Sequence, residues 1–275
     1  MKRNSQGRNI EGLERVLKMN DKIVFFDIDG TLLDHDKKIP QSTREAVRML
    51  QEKGVHVAIA TGRAPFMFED IRNELNIHNY VSFNGQYVVF EDEVIFKNPL
   101  HSNTLHTFTR FAKQEGYPLV YLDHKDMKAT VEYHDYVKES FGSLEFEHPV
   151  YEPGFYEKRD IYQTLLFCQA GEEEKFLHDY PDFHFIRWHA YSMDIIPNGG
   201  SKAKGIEKFI EKLGFKREQV YAFGDGLNDL EMIEAVGTGI VMGNGHEDLK
   251  KLANYVTKDV SEDGILHGLQ WAHLL

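Results

Sequence analysis

The chain has 275 residues, enough for one large domain or two ordinary ones. Hydrophobic residues make up 41% and charged residues 28%, the balance of a globular protein with a substantial core. The formal net charge of −12 leaves no general basic face for a nucleic-acid backbone, although a locally positive cleft could still receive a small anion.

Residues 1–20, MKRNSQGRNIEGLERVLKMN, are polar and basic and lack the apolar block of a secretory signal. They read as a frayed N-terminal extension with Met19 as a candidate start, or else as an added amphipathic turn at Leu13–Leu17. Lys22–Phe26 (KIVFF) is a short apolar, aromatic and β-branched run, the pattern of a buried strand. Ser42 and Glu45 have the spacing of a capping box that opens a helix. Ala46, Val47 and Leu50 supply its apolar face, and Gly54 stands where a helix stops. His56–Ala60 (HVAIA) is a second buried strand, followed by Thr61-Gly62-Arg63, a helix to about Leu75, and a strand at Tyr80–Phe83. Apolar strands alternating with helices predict a parallel sheet covered on both faces.

The rhythm changes at Gln86. Two strands around a tight turn come first, then a helix at about Asn103–Glu115 and strands such as Pro118–Leu122 and Ile161–Gln169. Alternation resumes at Met193, with a helix at Lys202–Leu213 closed by Gly214. A strand at Val220–Phe223, a helix at Leu230–Val236 and a strand at Gly239–Met242 complete it. The expectation is an α/β core of residues 21–85 and 190–275, with a smaller α+β domain inserted at 86–189.

Open α/β sheets bind ligands beyond the carboxyl ends of their strands. Three polar clusters fall at such ends: Asp27 and Asp29, then Thr61, then Asp225, Asn228 and Asp229. Clustered carboxylates need a cation, and an all-oxygen set suits Mg²⁺. Asp27 and Asp225 are the candidates for direct contact, with Asp229 and Asn228 holding the coordinating groups in place. A carboxylate can also act as a nucleophile toward phosphorus, which suits Asp27. Asp29 is placed to move the proton, and Gly30 permits the sharp turn that brings both acids to one side. Thr61 offers a hydroxyl, and with Gly62 backbone N–H groups, to phosphate oxygens; Lys202 offsets negative charge. Arg63 and Asn84 are expected in the same cleft.

The motifs D-I-D-G-T (Asp27–Thr31), A-T-G-R (Ala60–Arg63), G-S-K (Gly200–Lys202) and G-D-G-x-N-D (Gly224–Asp229) resemble, in order and spacing, those of the haloacid dehalogenase (HAD) superfamily, in its Cof-type branch of phosphatases. The resemblance implies a Rossmann-like core, Mg²⁺, Asp27 as nucleophile and Asp29 as general acid/base. It also implies that Asp29 reaches the metal through its backbone carbonyl, and that Thr61, Lys202 and Asn228 contact the phosphate. The metal set so implied is Asp27, Asp29, Asp225 and Asp229. Only 34 positions separate Asp27 from Thr61, whereas 141 separate Thr61 from Lys202, so the inserted domain resembles the C2B cap.

The implied activity is hydrolysis of a small phosphorylated metabolite through an aspartyl-phosphate. A phosphomutase of the same fold and a catalytically silent binding module are the alternatives. A dehalogenase is disfavoured because phosphotransferase members carry the second Asp. The single cysteine, Cys168, excludes an intrachain disulfide and fits a cytoplasmic protein. The sequence has no membrane-length apolar run, and no obligate protein partner is expected. The histidine pairs His101/His106 and His184/His189 have the wrong spacing for a zinc helix, and the glycines of Gly237–Gly245 the wrong register for a dinucleotide. The run Arg187–Tyr191 could touch substrate, but a core or hinge role suits it better.

Overall fold

The computed structural model describes residues 21–275, so the expectations for residues 1–20 lie outside the described residues. The first half of the core contains β1 (Ile23–Phe26), α1 (Gln41–Glu52), β2 (His56–Ala60), α2 (Glu69–Leu75) and β3 (Asn79–Ser82), followed by the hairpin β4 (Tyr87–Phe90) and β5 (Glu93–Lys97). Next come α3 (Ser102–Glu115), β6 (Leu119–Leu122), β7 (Met127–Ala129), α4 (Asp135–Gly142), β8 (Gln163–Phe167), β9 (Phe183–His189) and β10 (Ser192–Pro197). The chain closes with α5 (Lys202–Leu213), β11 (Val220–Gly224), α6 (Leu230–Ala235), β12 (Thr238–Val241), α7 (Glu247–Lys250), β13 (Tyr255–Val256) and α8 (Gly264–Trp271).

Two sheets result. The larger has eight strands in the order β13-β12-β11-β1-β2-β3-β4-β5, parallel from β13 to β3 and antiparallel over the last two pairings. The smaller has five strands in the order β7-β6-β8-β10-β9, and every pairing is antiparallel. Why β1 is apolar at every position is clear from its two faces. Val24 and Phe26 join the apolar layer that includes Val47 and Leu50 of α1 and Leu269 of α8; Ile23 and Phe25 join the layer that includes Phe209 of α5 and Met232 of α6. A strand buried on both sides has no position to spare for a polar residue.

Three local expectations are corrected. Helix α1 starts at Gln41 with Pro40 as its N-cap, so Ser42 and Glu45 do not form a capping box. Proline's restricted φ fits the entry to a helix, and it sets the start two positions ahead of the one expected. Glu45 instead accepts a hydrogen bond from Gln41 Nε2 at 2.9 Å. The helix after Arg63 is broken into a 3₁₀ turn at Pro65–Phe68 and α2. Finally, the hairpin β4–β5, expected in the insert from residue 86, extends the larger sheet: Val89 pairs with Tyr80 and Val88 with Val81. Its turn residues Glu91 (φ 48°) and Asp92 (φ 62°) are both left-handed, as a two-residue hairpin turn requires. At the other edge, β10 carries the smaller sheet on to Pro197, beyond the expected return at 190. The links between the sheets are thus the short segments 98–101 and 198–201.

Helix α5 packs closely on the turn at Phe83–Gly85. A Cβ on Gly205 would lie 2.4 Å from Val81 Cγ1 and 2.6 Å from Gly85 Cα, so only glycine fits. Gly205→Ala is therefore expected to destabilise the protein by about 1–3 kcal/mol, the usual cost of overpacking. Urea unfolding checks this, and an unchanged midpoint would contradict the close approach.

Candidate active site

Parallel strands β1, β2 and β11 lie side by side and end on one rim, which brings together residues nearly 200 positions apart. Asp27 follows β1 and is 6% exposed. Its Oδ1 accepts a 2.5 Å hydrogen bond from Lys202 Nζ, at the first position of α5. The same ammonium donates to Asp229 Oδ1 at 2.7 Å, and both Lys202 and Asp229 are completely or almost completely buried. Burial alone would lower the Lys202 pKa; the charges of Asp229 and Asp27 outweigh it and raise it, so the amine stays protonated.

Asp229 has both oxygens engaged. Its Oδ2 accepts from the backbone N–H groups of Asp225 and Gly226 at 3.0 Å each, which fixes the loop after β11. Thr31 Oγ1 donates to Asp225 Oδ1 at 2.8 Å. Gly30, at φ 79°, lets the first loop approach: a Cβ there would fall 2.2 Å from Asp225 Oδ2. Burial, reinforced by the neighbouring carboxylates and opposed by Lys202, pushes Asp27 up to about 8. Burial and the Asp229 charge push Asp225 up to about 6, against the Thr31 hydrogen bond.

Carboxylate oxygens of Asp27, Asp225 and Asp229 lie within 4.8 Å of one another. Three hard oxygen donors so close, two of them with raised pKa values, fit a divalent cation such as Mg²⁺. With one Lys202 ammonium among them, the cluster still carries excess negative charge.

Asp29 is held differently. Arg63 grips its carboxylate with two hydrogen bonds, Nη2 to Oδ1 at 2.7 Å and Nε to Oδ2 at 3.0 Å, and Lys37 Nζ donates to Oδ1 at 2.8 Å. Burial favours the neutral form, but these cations prevail and keep Asp29 below the usual carboxylate range. Arg63 therefore faces an acid in this structure. Thr61 is buried at the end of β2, and its Oγ1 accepts from Arg63 N at 3.1 Å. Asn84 N donates to Thr61 O at 3.0 Å, so the turn after β3 braces the Thr61–Arg63 loop. That turn places Phe83 (φ 52°) and Asn84 (φ 50°) both in the left-handed region, a strained conformation for phenylalanine.

A cavity of about 790 Å³ lies between the two sheets. Asp27, Asp29, Thr61, Gly62, Arg63, Asn84, Lys202 and Asn228 all line it, Asn228 from an exposed position at its edge. Asp225 and Asp229 are not in its wall and join Asp27 through the carboxylate cluster. The smaller sheet adds Gln163 and Asp194, which the sequence did not mark as site residues, and Arg187 and Trp188, from the run whose sequence suits a core or hinge role better than contact with substrate. The signal was a lone carboxylate inside the apolar run Met193–Ile196. Thr31 was visible within the first motif, whereas nothing in the sequence marked Lys37. Of the histidines in the rejected zinc pairs, His184 reaches Gly200 O through Nδ1 at 3.3 Å and His189 Nδ1 meets Ser140 Oγ at 3.1 Å. Arg187 pairs with Glu173, with Nη2 to Oε2 at 2.8 Å.

The sequence profile of the haloacid dehalogenase-like hydrolases matches residues 24–269. The Bacillus subtilis (strain 168) protein named "Putative phosphatase YkrA" is 51% identical over 257 residues, which cover 94% of this chain and all of that protein. A crystal structure of a hypothetical protein from Geobacillus kaustophilus HTA426 superposes with a TM-score of 0.89 at 55% identity, covering 93% of this chain and 100% of the other. The HAD subclass IIB sugar phosphatase BT4131 superposes with a TM-score of 0.81 at 30% identity, covering 92% and 100%. The chain therefore belongs to the haloacid dehalogenase-like hydrolase family, as a member of its Cof-type phosphatase branch.

Proposed function

We propose that the protein is a Mg²⁺-dependent phosphatase that hydrolyses small phosphorylated metabolites through an aspartyl-phosphate on Asp27. The observation that carries this reading is the Lys202 ammonium, buried and shared between Asp27 and Asp229 at the edge of the cavity. It holds the attacking carboxylate in one orientation and offsets its charge, which is most of what phosphoryl transfer asks of a protein. Asp27, Asp225 and the backbone carbonyl of Asp29 would hold Mg²⁺, with Asp229 orienting the set. Bound there, the ion would neutralise charge on the transferring phosphoryl group and on the crowded carboxylates.

In the first half-reaction, an oxygen of Asp27 attacks phosphorus as the P–O bond to the alcohol breaks. Asp29 gives its proton to the departing oxygen. In the second, a water gives a proton to Asp29 and its oxygen attacks the same phosphorus; the Asp27–phosphorus bond breaks and inorganic phosphate leaves. Thr61, Gly62, Lys202 and Asn228 are assigned to the phosphate oxygens. Arg63 and Lys37 oppose protonation of Asp29, so its acid role requires that an arriving phosphate draw Arg63 off the carboxylate. The second sheet faces the site across the cavity and limits its exposure to bulk water. A small-metabolite substrate suits the cavity, and among the described residues no helix is long and apolar enough to cross a membrane.

Phosphate release from p-nitrophenyl phosphate should require Mg²⁺, stop with EDTA, and fall by about 10⁴-fold or more in Asp27→Asn, with the native unfolding transition retained. Robust turnover by that variant would remove Asp27 as nucleophile. Phosphoryl return to the substrate, with little free phosphate, would point to a mutase instead. Lys202→Met leaves two buried carboxylates without their cation. It is expected to destabilise the metal-free protein by about 3–5 kcal/mol, measured by urea unfolding in EDTA. An unchanged midpoint would show that the ammonium does not hold the two acids together.

A further inference from the structure

The smaller sheet turns one face to the cavity, and on that face Asp194, Gln163 and His184 stand among apolar side chains. On it, Leu122 of β6, Leu165 of β8, and Ile186 and Trp188 of β9 line the cavity, while Met193 and Ile195 of β10 point to the opposite side, into the cap's own core. By strand alternation Asp194 faces the cavity. In the sheet it pairs with Leu165 on one side and Ile186 on the other. It is 7% exposed, and among the described residues no Lys, Arg or His forms an ion pair with it. Asn84 Nδ2 donates to its Oδ2 at 3.2 Å, a long hydrogen bond for a buried carboxylate. Burial pushes the group up to about 7, against the pull of polar hydrogens on Asn84, Gln163 and Trp188. Beside it, Gln163 Oε1 and Trp188 Nε1 are buried with no hydrogen-bond partner of full geometry among the described residues.

A buried acid without a cation is costly. Asp27 and Asp229 have Lys202, and Asp29 has Arg63 and Lys37, to answer them; Asp194 has no such cation. We infer that Asp194 is the specificity-determining residue of the cavity, and that it selects substrates whose alcohol part carries a nitrogen cation or N–H on an aromatic heterocycle. The ring would lie against the apolar face and Trp188, and its nitrogen would meet the carboxylate. A carboxylate opposite a pyridinium nitrogen is an established pairing in proteins. Polyols fit less well, because several hydroxyls would be stripped of water against Leu122, Leu165 and Ile186 with few partners. Gln163 Oε1 adds one acceptor for a substituent on the ring.

This inference rests on the phosphatase reading, and one panel separates the two. Phosphate release is measured for pyridoxine 5′-phosphate, flavin mononucleotide, glucose 6-phosphate and sorbitol 6-phosphate, with wild type and Asp194→Asn. The expected result is a kcat/KM for pyridoxine 5′-phosphate at least tenfold above that for either sugar phosphate. In Asp194→Asn that ratio should fall at least tenfold, mainly through KM. A preference for sugar phosphates, or a ratio that Asp194→Asn leaves unchanged, overturns the inference while keeping the phosphatase. Release from none of the compounds overturns the phosphatase reading itself. If Asp194→Asn does not fold, binding of pyridoxine to the wild type in EDTA decides. Quenching of tryptophan fluorescence that sorbitol does not reproduce supports the inference, and equal or no quenching overturns it.

Discussion

One buried ammonium organises this protein. Lys202 touches acids from two separate stretches of chain, Asp27 after β1 and Asp229 after β11, and it stands at the start of α5 just after the chain returns from the second sheet. Without a cation between them, two buried carboxylates would repel and one would protonate. With it, the carboxyl ends of the strands can carry a dense acidic rim. Burial first, and then the crowding of the carboxylates, raises the pKa values of Asp27 and Asp225, and a divalent cation is the natural complement to such a site.

The same requirement for close approach shapes the surrounding backbone. Gly30 brings the first loop against Asp225, and Gly205 brings α5 against the turn that carries Asn84. Asn84 then links three parts: its backbone braces the Thr61 loop, its side chain lies over Gly62, and its amide reaches Asp194 of the second sheet. A contact that crosses between the sheets at the cavity wall offers a physical route by which the group bound under the second sheet and the phosphate loop could bear on each other. The two short links, 98–101 and 198–201, are the places where relative movement of the sheets would have to be absorbed.

Much of the core and its rim could be read from the chain because the signals are local and repeated. Continuous apolar strands report burial on both faces, and polar residues placed just after three of them must share a rim once the strands are parallel and adjacent. What could not be read depends on pairing rather than composition. The hairpin Tyr87–Lys97 has the pattern of a strand pair in either sheet; only its register with β3 assigns it to the larger one. The Ser42/Glu45 pattern yielded to Pro40, which starts the helix by its fixed backbone. Arg63 could be expected near the site, but not its grip on Asp29, which depends on two loops meeting at side-chain precision. Asp194 looked like one polar residue in an apolar strand until the sheet showed which way it faces.

The central claim is that Asp27 itself takes the phosphoryl group. The direct measurement is a rapid quench of the enzyme during turnover with Mg²⁺ and p-nitrophenyl phosphate, followed by borohydride reduction and peptide mass spectrometry. Reduction of an acyl phosphate converts aspartate to homoserine, so the account predicts homoserine at position 27 and at no other acid of the rim. Active turnover that leaves Asp27 unmodified, with homoserine at Asp29 or Asp225 instead, would contradict it.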